Sequence, residues 1–150
     1  VWIQSPYLAP PASLIAAMRA ATRRGVEVRV MLPRVCDTGI MRVINPSYYG
    51  DMLAAGVELY LRNGEFIHSK TIVADDYLTC IGTTNLDYRS FGIDFEINTY
   101  MYDEATALEQ KQIYEAELAI SDRVTQADID AVPWVRKMWH RFGRCFSAVV

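Results

Sequence analysis

The chain has 150 residues, 51% of them hydrophobic, with 15 Lys and Arg against 18 Asp and Glu and hence a net charge of −3. This length is enough to bury a sizeable core in one domain. The acidic balance argues mildly against a nucleic-acid-binding surface, which is usually basic. The sequence contains no run of about 18 apolar residues, so no membrane-spanning helix is predicted. The three cysteines have no C-x-x-C spacing, so neither a disulfide framework nor a zinc site is predicted.

The hydrophobic pattern alternates between strand-like and helix-like segments. Strands are predicted at residues 1–4, 26–32, 57–61, 66–73, 77–81 and 95–102, and helices at 12–24, 47–55, 104–120 and 134–146. Strands separated by helices predict an α/β fold with a mixed, largely parallel β-sheet flanked by helices. We interpret residues 1–132 as one domain and residues 133–150 as a tail that contains a C-terminal basic amphipathic helix.

One stretch, residues 68–85, gathers polar groups at a fixed spacing, H-x-K-x4-D-x6-G-T-x-N. Its members are His68, Lys70, Asp75, Gly82, Thr83 and Asn85. An imidazole, an ammonium, a hydroxyl and an amide are the groups that metal-free attack on a phosphodiester needs. A lone histidine is more often structural, but average residue frequencies give odds on the order of one in a hundred thousand for the whole pattern.

The spacing also predicts how these groups meet. His68 and Lys70 lie two residues apart on a predicted strand, so their side chains project to the same face. Asp75 begins a turn signal, which makes a hairpin the simplest local structure. Asn85 then lies near the end of the second strand, within reach of Lys70. Gly82 would let the backbone approach a ligand closely.

The stretch resembles the HKD motif of the phospholipase D superfamily, including its G-[ST]-x-N extension, with Thr83 where serine is commoner. Members of that family carry an acidic residue eleven positions after the asparagine, and Glu96 occupies that position. The resemblance extends over nearly the whole chain and points to the C-terminal half of bacterial cardiolipin synthases. The segments that carry it are residues 3–7, 24–33, 47–49, 85–91 and 95–98.

This resemblance implies phosphatidyl transfer through a phosphohistidine intermediate, in which two phosphatidylglycerols give cardiolipin and glycerol. His68 would act as the acid and base of the reaction. Lys70, Thr83 and Asn85 would bind the phosphate and stabilise its charge in the transition state. Glu96 would accept a hydrogen bond from the imidazole and orient His68.

Asp75 is the remaining catalytic candidate of the motif, although its place at a predicted turn favours a structural role. A metal-dependent phosphoesterase is a lesser alternative, because no close pair of His or Asp residues has ligand spacing. We therefore expect neither a metal ion nor a cofactor.

The phospholipase D family builds one active site from two HKD motifs, and this chain has one. Its only other histidine, His140, has no lysine two positions later. The favoured interpretation is half of an enzyme whose second HKD half lies upstream; the other is pairing of two chains. The expected partners are a phospholipid substrate and that second half, and nucleic acid is not expected. The alternatives are a homodimeric nuclease or phosphodiesterase of the same superfamily and a non-catalytic half-domain for assembly or membrane docking.

Residues 134–146 place apolar side chains, two tryptophans among them, on one helical face and basic side chains on the other. Such a helix can lie in a membrane interface. It could instead pack its apolar face on the domain or on the missing half. Together with the resemblance, this predicts a full-length protein at the bacterial cytoplasmic membrane and a fragment that is soluble or peripheral.

Overall fold

The computed structural model describes residues 1–147, so the last part of the predicted tail, residues 148–150, lies outside the described residues. Within that range the strands are β1 (Trp2–Gln4), β2 (Leu8–Ala9), β3 (Arg29–Pro33), β4 (Glu58–Arg62), β5 (Thr71–Ala74), β6 (Leu78–Gly82), β7 (Leu86–Asp87), β8 (Asn98–Tyr102) and β9 (Ser121–Arg123). The helices are α1 (Ala12–Arg23), α2 (Met41–Ala54), α3 (Tyr88–Gly92), α4 (Glu104–Leu118), α5 (Gln126–Ala131) and α6 (Trp134–Arg144).

Among the described residues, seven strands form one sheet in the order β8-β6-β5-β1-β3-β4-β9. The prediction of a mixed sheet flanked by helices is confirmed. The expectation that it is largely parallel is wrong, because only β1-β3 and β3-β4 pair in parallel and the other neighbours are antiparallel. Parallel pairing needs a crossover, and α1 and α2 supply it for β3 and β4. β5 and β6 are instead joined by a tight hairpin.

The core lies between the sheet and helices α1 and α2. Ile3, Val30 and Leu59 on neighbouring strands are buried in one cluster with residues of both helices. Because side chains alternate along a strand, Trp2 points to the opposite face of the sheet. There its ring lies 5.2 Å from the ring of Tyr114 on helix α4. Helices therefore cover both faces of the central strands.

Helix α2 begins well before the predicted start at residue 47 and contains Pro46. Proline has no N–H, so the helix lacks one internal hydrogen bond at this position. Burial offsets that loss, since Met41 and Ile44 in the first turn are both almost fully buried. The sequence pattern misplaced the helix start because packing overrides the local effect of proline.

Helix α6 confirms the predicted C-terminal amphipathic helix and packs on α2. Gly143 is buried at the contact, where an added Cβ would come within 2.7 Å of Val43 Cγ1. The guanidinium of Arg144 forms an ion pair with Asp51 at 2.6 Å and lies 4.2 Å from the ring centroid of Tyr48. The face that contacts the domain is therefore small and polar.

The apolar face of α6 consequently points away from the domain. Trp134 and Trp139 are 70% and 61% exposed, and Met138 and Phe142 are exposed as well. The interpretation in which this helix packs its apolar face on the described part of the domain is wrong. No helix within residues 1–147 combines the length and the apolar character needed to cross a membrane.

Candidate active site

His68 lies in an irregular segment before β5, not on a strand as the sequence predicted. Strand β5 begins only at Thr71, opposite Gln4 at the end of β1. The next residues of that neighbour are Ser5 and Pro6, and proline has no N–H to continue the ladder. The motif histidine and lysine are therefore carried by the segment that leads into the sheet.

The imidazole of His68 is exposed and lies between two aromatic rings. The ring of Tyr7 lies 5.9 Å away, edge-on, and that of Phe66 lies 5.7 Å away. The hydroxyl of Tyr7 in turn donates to the carboxylate of Asp37, at 2.9 and 3.0 Å from its two oxygens. Burial and this carboxylate raise the pKa of Tyr7 to about 12. Tyr7 thus stays protonated and holds one side of the imidazole.

Lys70 lies beside His68 and is half-buried. Its Nζ donates to the backbone carbonyl of His68 at 3.0 Å, which fixes the lysine next to the histidine. Burial lowers the pKa of Lys70, and the charges of Glu96, Asp87 and Asp37 act in the opposite direction. A cation in such partly desolvated surroundings interacts more strongly with a phosphate than one in water.

Glu96 connects the second part of the motif to helix α3. One carboxylate oxygen accepts from the hydroxyl of Thr83, and the other accepts from Ser90 Oγ at 2.6 Å. Within residues 1–147 the imidazole of His68 makes no hydrogen bond, so the predicted bond to Glu96 is not formed in this structure. Thr83, predicted to bind phosphate, has its hydroxyl committed to Glu96.

Asn85 is held by the start of helix α3. Its backbone N–H donates to Ser90 Oγ at 3.0 Å, and Asp87 caps the helix by accepting from the Ser90 N–H at 2.8 Å. Burial raises the pKa of Asp87. Among the described residues the buried Oδ1 of Asn85 has no hydrogen-bond partner. A buried acceptor without a partner is uncommon, which is consistent with a site that a hydrogen-bond donor of a ligand or partner completes.

Gly82 contributes to the site through strand packing. An added Cβ would come within 2.0 Å of Asn98 Oδ1 and 2.5 Å of the Ile97 carbonyl. The close approach predicted from this glycine is therefore made by the incoming strand β8, which brings Glu96 next to Thr83. The prediction had assigned that space to a ligand.

Asp75 lies apart from the other motif residues. It opens the β5–β6 turn with φ of +54°, followed by Asp76 with +56°, which agrees with the predicted hairpin turn. Five residues of extended chain separate it from Lys70, about 16 Å at the rise of a strand. It borders a different cleft, together with Lys111. Of the predicted catalytic residues, the structure therefore brings together His68 and Lys70 but not Asp75.

The sequence interpretation missed three residues of the site: Tyr7, Asp37 and Ser90. Tyr7 and Asp37 are far from the motif in sequence, and only the parallel pairing of β1 and β3 brings them together. Ser90 lies five residues after Asn85, and nothing in the spacing distinguished it from a surface serine. No group of His, Cys, Asp and Glu suited to hold a metal ion occurs in the described part of the chain.

The sheet, its helices and the grouped motif side chains define a phospholipase D-like domain. A crystal structure of a phospholipase D family member, Nuc from Salmonella typhimurium, superposes with a TM-score of 0.69 at 17% identity, covering 83% of this chain and 80% of that one. The crystal structure of phosphatidylserine synthase from Haemophilus influenzae gives 0.73 at 13% identity, covering 99% of this chain and 41% of that one. At these identities the likeness concerns the fold alone.

The family follows from sequence. Residues 1–118 match the family described as "Cardiolipin synthase, PLD-like domain". The "Major cardiolipin synthase ClsA" of Bacillus subtilis is 38% identical over 137 residues, 91% of this chain and 28% of the relative. A cardiolipin synthase of Clostridium perfringens strain 13 is 38% identical over all 150 residues, 31% of the relative. The chain belongs to the cardiolipin synthase family of phospholipase D-like domains, and it spans less than a third of the length of these relatives.

Proposed function

We propose that this chain is the second of the two HKD halves of a cardiolipin synthase, which transfers a phosphatidyl group between two phosphatidylglycerols and releases glycerol. The observation that carries the proposal is the juxtaposition of His68 with the half-buried Lys70, in a chain that matches the cardiolipin synthase domain over residues 1–118. The chemistry needs a nucleophile, a proton carrier and cationic stabilisation of phosphate, and this half supplies the last two.

In the first step the histidine of the second HKD half attacks phosphorus. The P–O bond to glycerol breaks as a P–N bond forms, and His68 gives its proton to the departing glycerol oxygen. In the second step His68 takes the proton from a hydroxyl of another phosphatidylglycerol. That oxygen then attacks phosphorus and breaks the P–N bond, which yields cardiolipin and restores both histidines.

Phosphate binding is assigned to Lys70 and Asn85, with Thr83 in a supporting role. The hydroxyl of Thr83 donates to Glu96 here, so it acts on phosphate only if substrate exchanges that bond. Glu96 holds the loop of Asn85 in place indirectly, because Ser90 donates to Glu96 and accepts from the backbone N–H of Asn85. Glu96 would orient His68 directly only after a rearrangement of these side chains. The role of Asp75 is the hairpin turn rather than proton transfer.

The second HKD half is proposed to pack against the exposed apolar side chains around Glu96. Phe91, Ile93 and Ile97 are exposed and Phe95 is fully so, although each is large and apolar. Contiguous exposed apolar surface commonly marks an interaction site. The unpartnered Oδ1 of Asn85 lies close by in sequence and is a candidate for the same interface.

Helix α6 is proposed to contact the membrane that holds the substrate, which in a full-length protein would be the bacterial cytoplasmic membrane. Its apolar face is exposed and its other side is basic, as in helices that lie in a membrane interface. Replacing Trp134 and Trp139 by serine should weaken flotation with phosphatidylglycerol vesicles several-fold. A matched control is Tyr77→Ser, which removes an exposed aromatic ring elsewhere. Equal loss in both variants would exclude a specific role for α6.

The transfer reaction is tested with this chain as the C-terminal half of a two-motif enzyme, supplied with phosphatidylglycerol. Cardiolipin and glycerol should form in equal amounts without added metal. His68→Ala should lower kcat at least a hundredfold, the usual scale of a lost acid or base. Asp75→Asn serves as the control and should keep most activity. Unchanged turnover in His68→Ala would refute the assignment.

The mass of the chain alone, measured by light scattering, tests the alternative partner. An inactive monomer supports a half enzyme whose second motif lies on another segment. An active dimer would show that two copies of His68 share one site, and it would favour the homodimeric phosphodiesterase. A two-motif enzyme that folds but never turns over would favour the non-catalytic half-domain.

A further inference from the structure

Helix α6 turns its apolar face to solvent and its basic side toward the domain, the reverse of an ordinary surface helix. Its two tryptophans face outward, whereas Lys137, His140 and Gly143 are turned toward the domain and are partly or fully buried. Cationic side chains normally stay in water unless a partner compensates their desolvation. On this side of the helix Lys137 and His140 are partly buried, whereas Arg136 and Arg141 remain exposed.

The basic side of α6 faces a groove, which we call the α6 groove. It lies between α2, the β4–β9 edge, α5 and α6, is open to solvent on one side and has a volume of about 850 Å³, within the range of small-molecule sites. Six cationic residues line it: Arg34, Arg42, Arg123, Arg136, Lys137 and Arg141. Only two carboxylates, Asp122 and Asp128, line the same groove within the described residues. None of the motif residues His68, Lys70 or Asn85 contributes to it.

Several of these cations have no counter-ion in the described part of the chain. Arg136 and Arg141 make no side-chain hydrogen bond or ion pair with residues 1–147. Arg42 donates only to the backbone carbonyl of Cys36, at 3.1 and 3.2 Å. Lys137 donates to another backbone carbonyl, at 3.2 Å. By contrast, Arg34 is paired with a carboxylate. The free positive charge of the groove is therefore concentrated beside α6.

His140 lies within this cluster. Burial and the neighbouring charge of Arg136 lower its pKa. Arg42 of α2 and Asp128 of α5 line the same groove as His140. The carboxylate of Asp128 already accepts a hydrogen bond from the hydroxyl of Thr125. A bound anion would offset the positive charge around the imidazole and raise its pKa. The pKa of His140 should therefore rise when an anion binds in the groove.

The floor of the groove is apolar. Val43, Pro46, Leu61, Val124, Ile129 and Val132 line it, and Trp139 joins the groove to the exposed apolar face of α6. Inorganic phosphate would use the guanidinium groups but not this floor. An amphiphile with an anionic head would use both, and the outward tryptophans would hold the groove at the level of lipid head groups.

We propose that the α6 groove binds the phosphate head group of an anionic phospholipid, at a site separate from the His68 site. Arg42, Arg136 and Arg141 bind the phosphodiester, and the apolar floor takes the upper part of the acyl chains. This inference rests on the proposed membrane contact of α6 but not on phosphatidyl transfer.

The test uses the 150-residue chain with His68→Ala, which leaves His140 as the only histidine. Its imidazole is titrated by NMR with dihexanoylphosphatidylglycerol below its critical micelle concentration, so no membrane is needed. The expected result is a saturable rise in the pKa of His140, with no comparable rise for the zwitterionic dihexanoylphosphatidylcholine. An equal rise with the zwitterionic lipid would overturn the proposal.

Two further probes distinguish the source of the phosphate. Inorganic phosphate at the same concentration should give a much smaller rise, because it does not use the apolar floor. An equal rise would make the groove a simple anion site. An equal rise with an oligothymidylate of similar charge would assign it to nucleic-acid phosphates. Either result contradicts the lipid assignment.

Charge variants locate the site. Arg136→Gln and Arg141→Gln together should weaken the lipid affinity by about tenfold or more, the scale of lost charge-assisted hydrogen bonds. Both side chains are exposed, so folding should be unaffected, and circular dichroism checks this. The matched control, Arg19→Gln with Arg23→Gln on the exposed side of α1, has the same charge change and should keep the affinity. Unchanged lipid binding in the groove variant would refute the site. Loss of transfer activity, with the lipid still raising the pKa of His140, would contradict only the proposed reaction.

Discussion

Replacing Gly82 by alanine tests whether the close contact between β6 and β8 organises the site. The new Cβ would lie 2.0 Å from Asn98 Oδ1, 2.5 Å from the Ile97 carbonyl oxygen and 2.8 Å from Asn98 Cα. Ordinary contacts between such atoms are about 3.5–4.0 Å, so strand β8 would have to retreat by about 1 Å. Two of the three contacts involve backbone, which cannot rotate away as a side chain can.

Overpacking of this kind typically costs about 1–3 kcal/mol, and the backbone contacts put Gly82→Ala near the upper end. In urea this loss corresponds to a midpoint lower by about 1–3 M, for slopes typical of small domains. The retreat would also separate Thr83 from Glu96. We therefore expect a two-half enzyme with this change to lose activity even at temperatures where it remains folded.

Gly50→Ala provides the matched control. Gly50 lies inside helix α2, and an added Cβ there meets nothing within 4 Å. Because glycine is a poor helix former, this change should stabilise the chain by about 0.5–1 kcal/mol. If the urea midpoint of Gly82→Ala equalled that of the unchanged chain, the strand contact that places Glu96 in the site would be wrong.

Three further changes test other contacts. Ser90→Ala removes a hydroxyl that donates to Glu96 at 2.6 Å, and urea unfolding should show a loss of about 1–3 kcal/mol; no loss would make this hydrogen bond dispensable. Gly143→Ala places a Cβ 2.7 Å from Val43 Cγ1, so α6 should pack less closely on α2 and its amides should exchange faster with solvent; unchanged protection would contradict the packing. The pKa of His140 is lowered from 6.5, so the unfolded chain binds this proton more tightly. The free energy of unfolding of the unchanged chain, relative to that of His140→Gln, should be highest above pH 6.5 and should fall as the pH drops through the lower folded-state pKa. Urea unfolding of both chains from about pH 8 to about pH 5 measures this difference.

The hairpin was predictable because it depends on local spacing. Asp75 and Asp76 adopt positive φ as the turn signal indicated. The placement of His68 outside the strand was not predictable from its own segment. It depends on where β1 ends, at Gln4, and on the proline that follows two residues later.

The surroundings of the motif depended on long-range contacts. Tyr7 reaches His68 and Asp37 only because strands distant in sequence become neighbours. For helix α6, the sequence predicted both faces but not which face contacts the domain. That choice depends on Gly143, whose missing side chain allows a close approach to α2 that no amphipathic pattern records.

Strand β8 has a consequence for the lone chain beyond the site it helps to build. It lies at the end of the sheet, and the neighbouring Phe95 and Ile97 are exposed. Such an edge with apolar neighbours can add a strand from another molecule, which leads to open-ended aggregation rather than a closed assembly. A partner that covers β8 would therefore protect this chain from aggregation and from the chaperones and proteases that act on exposed strand edges.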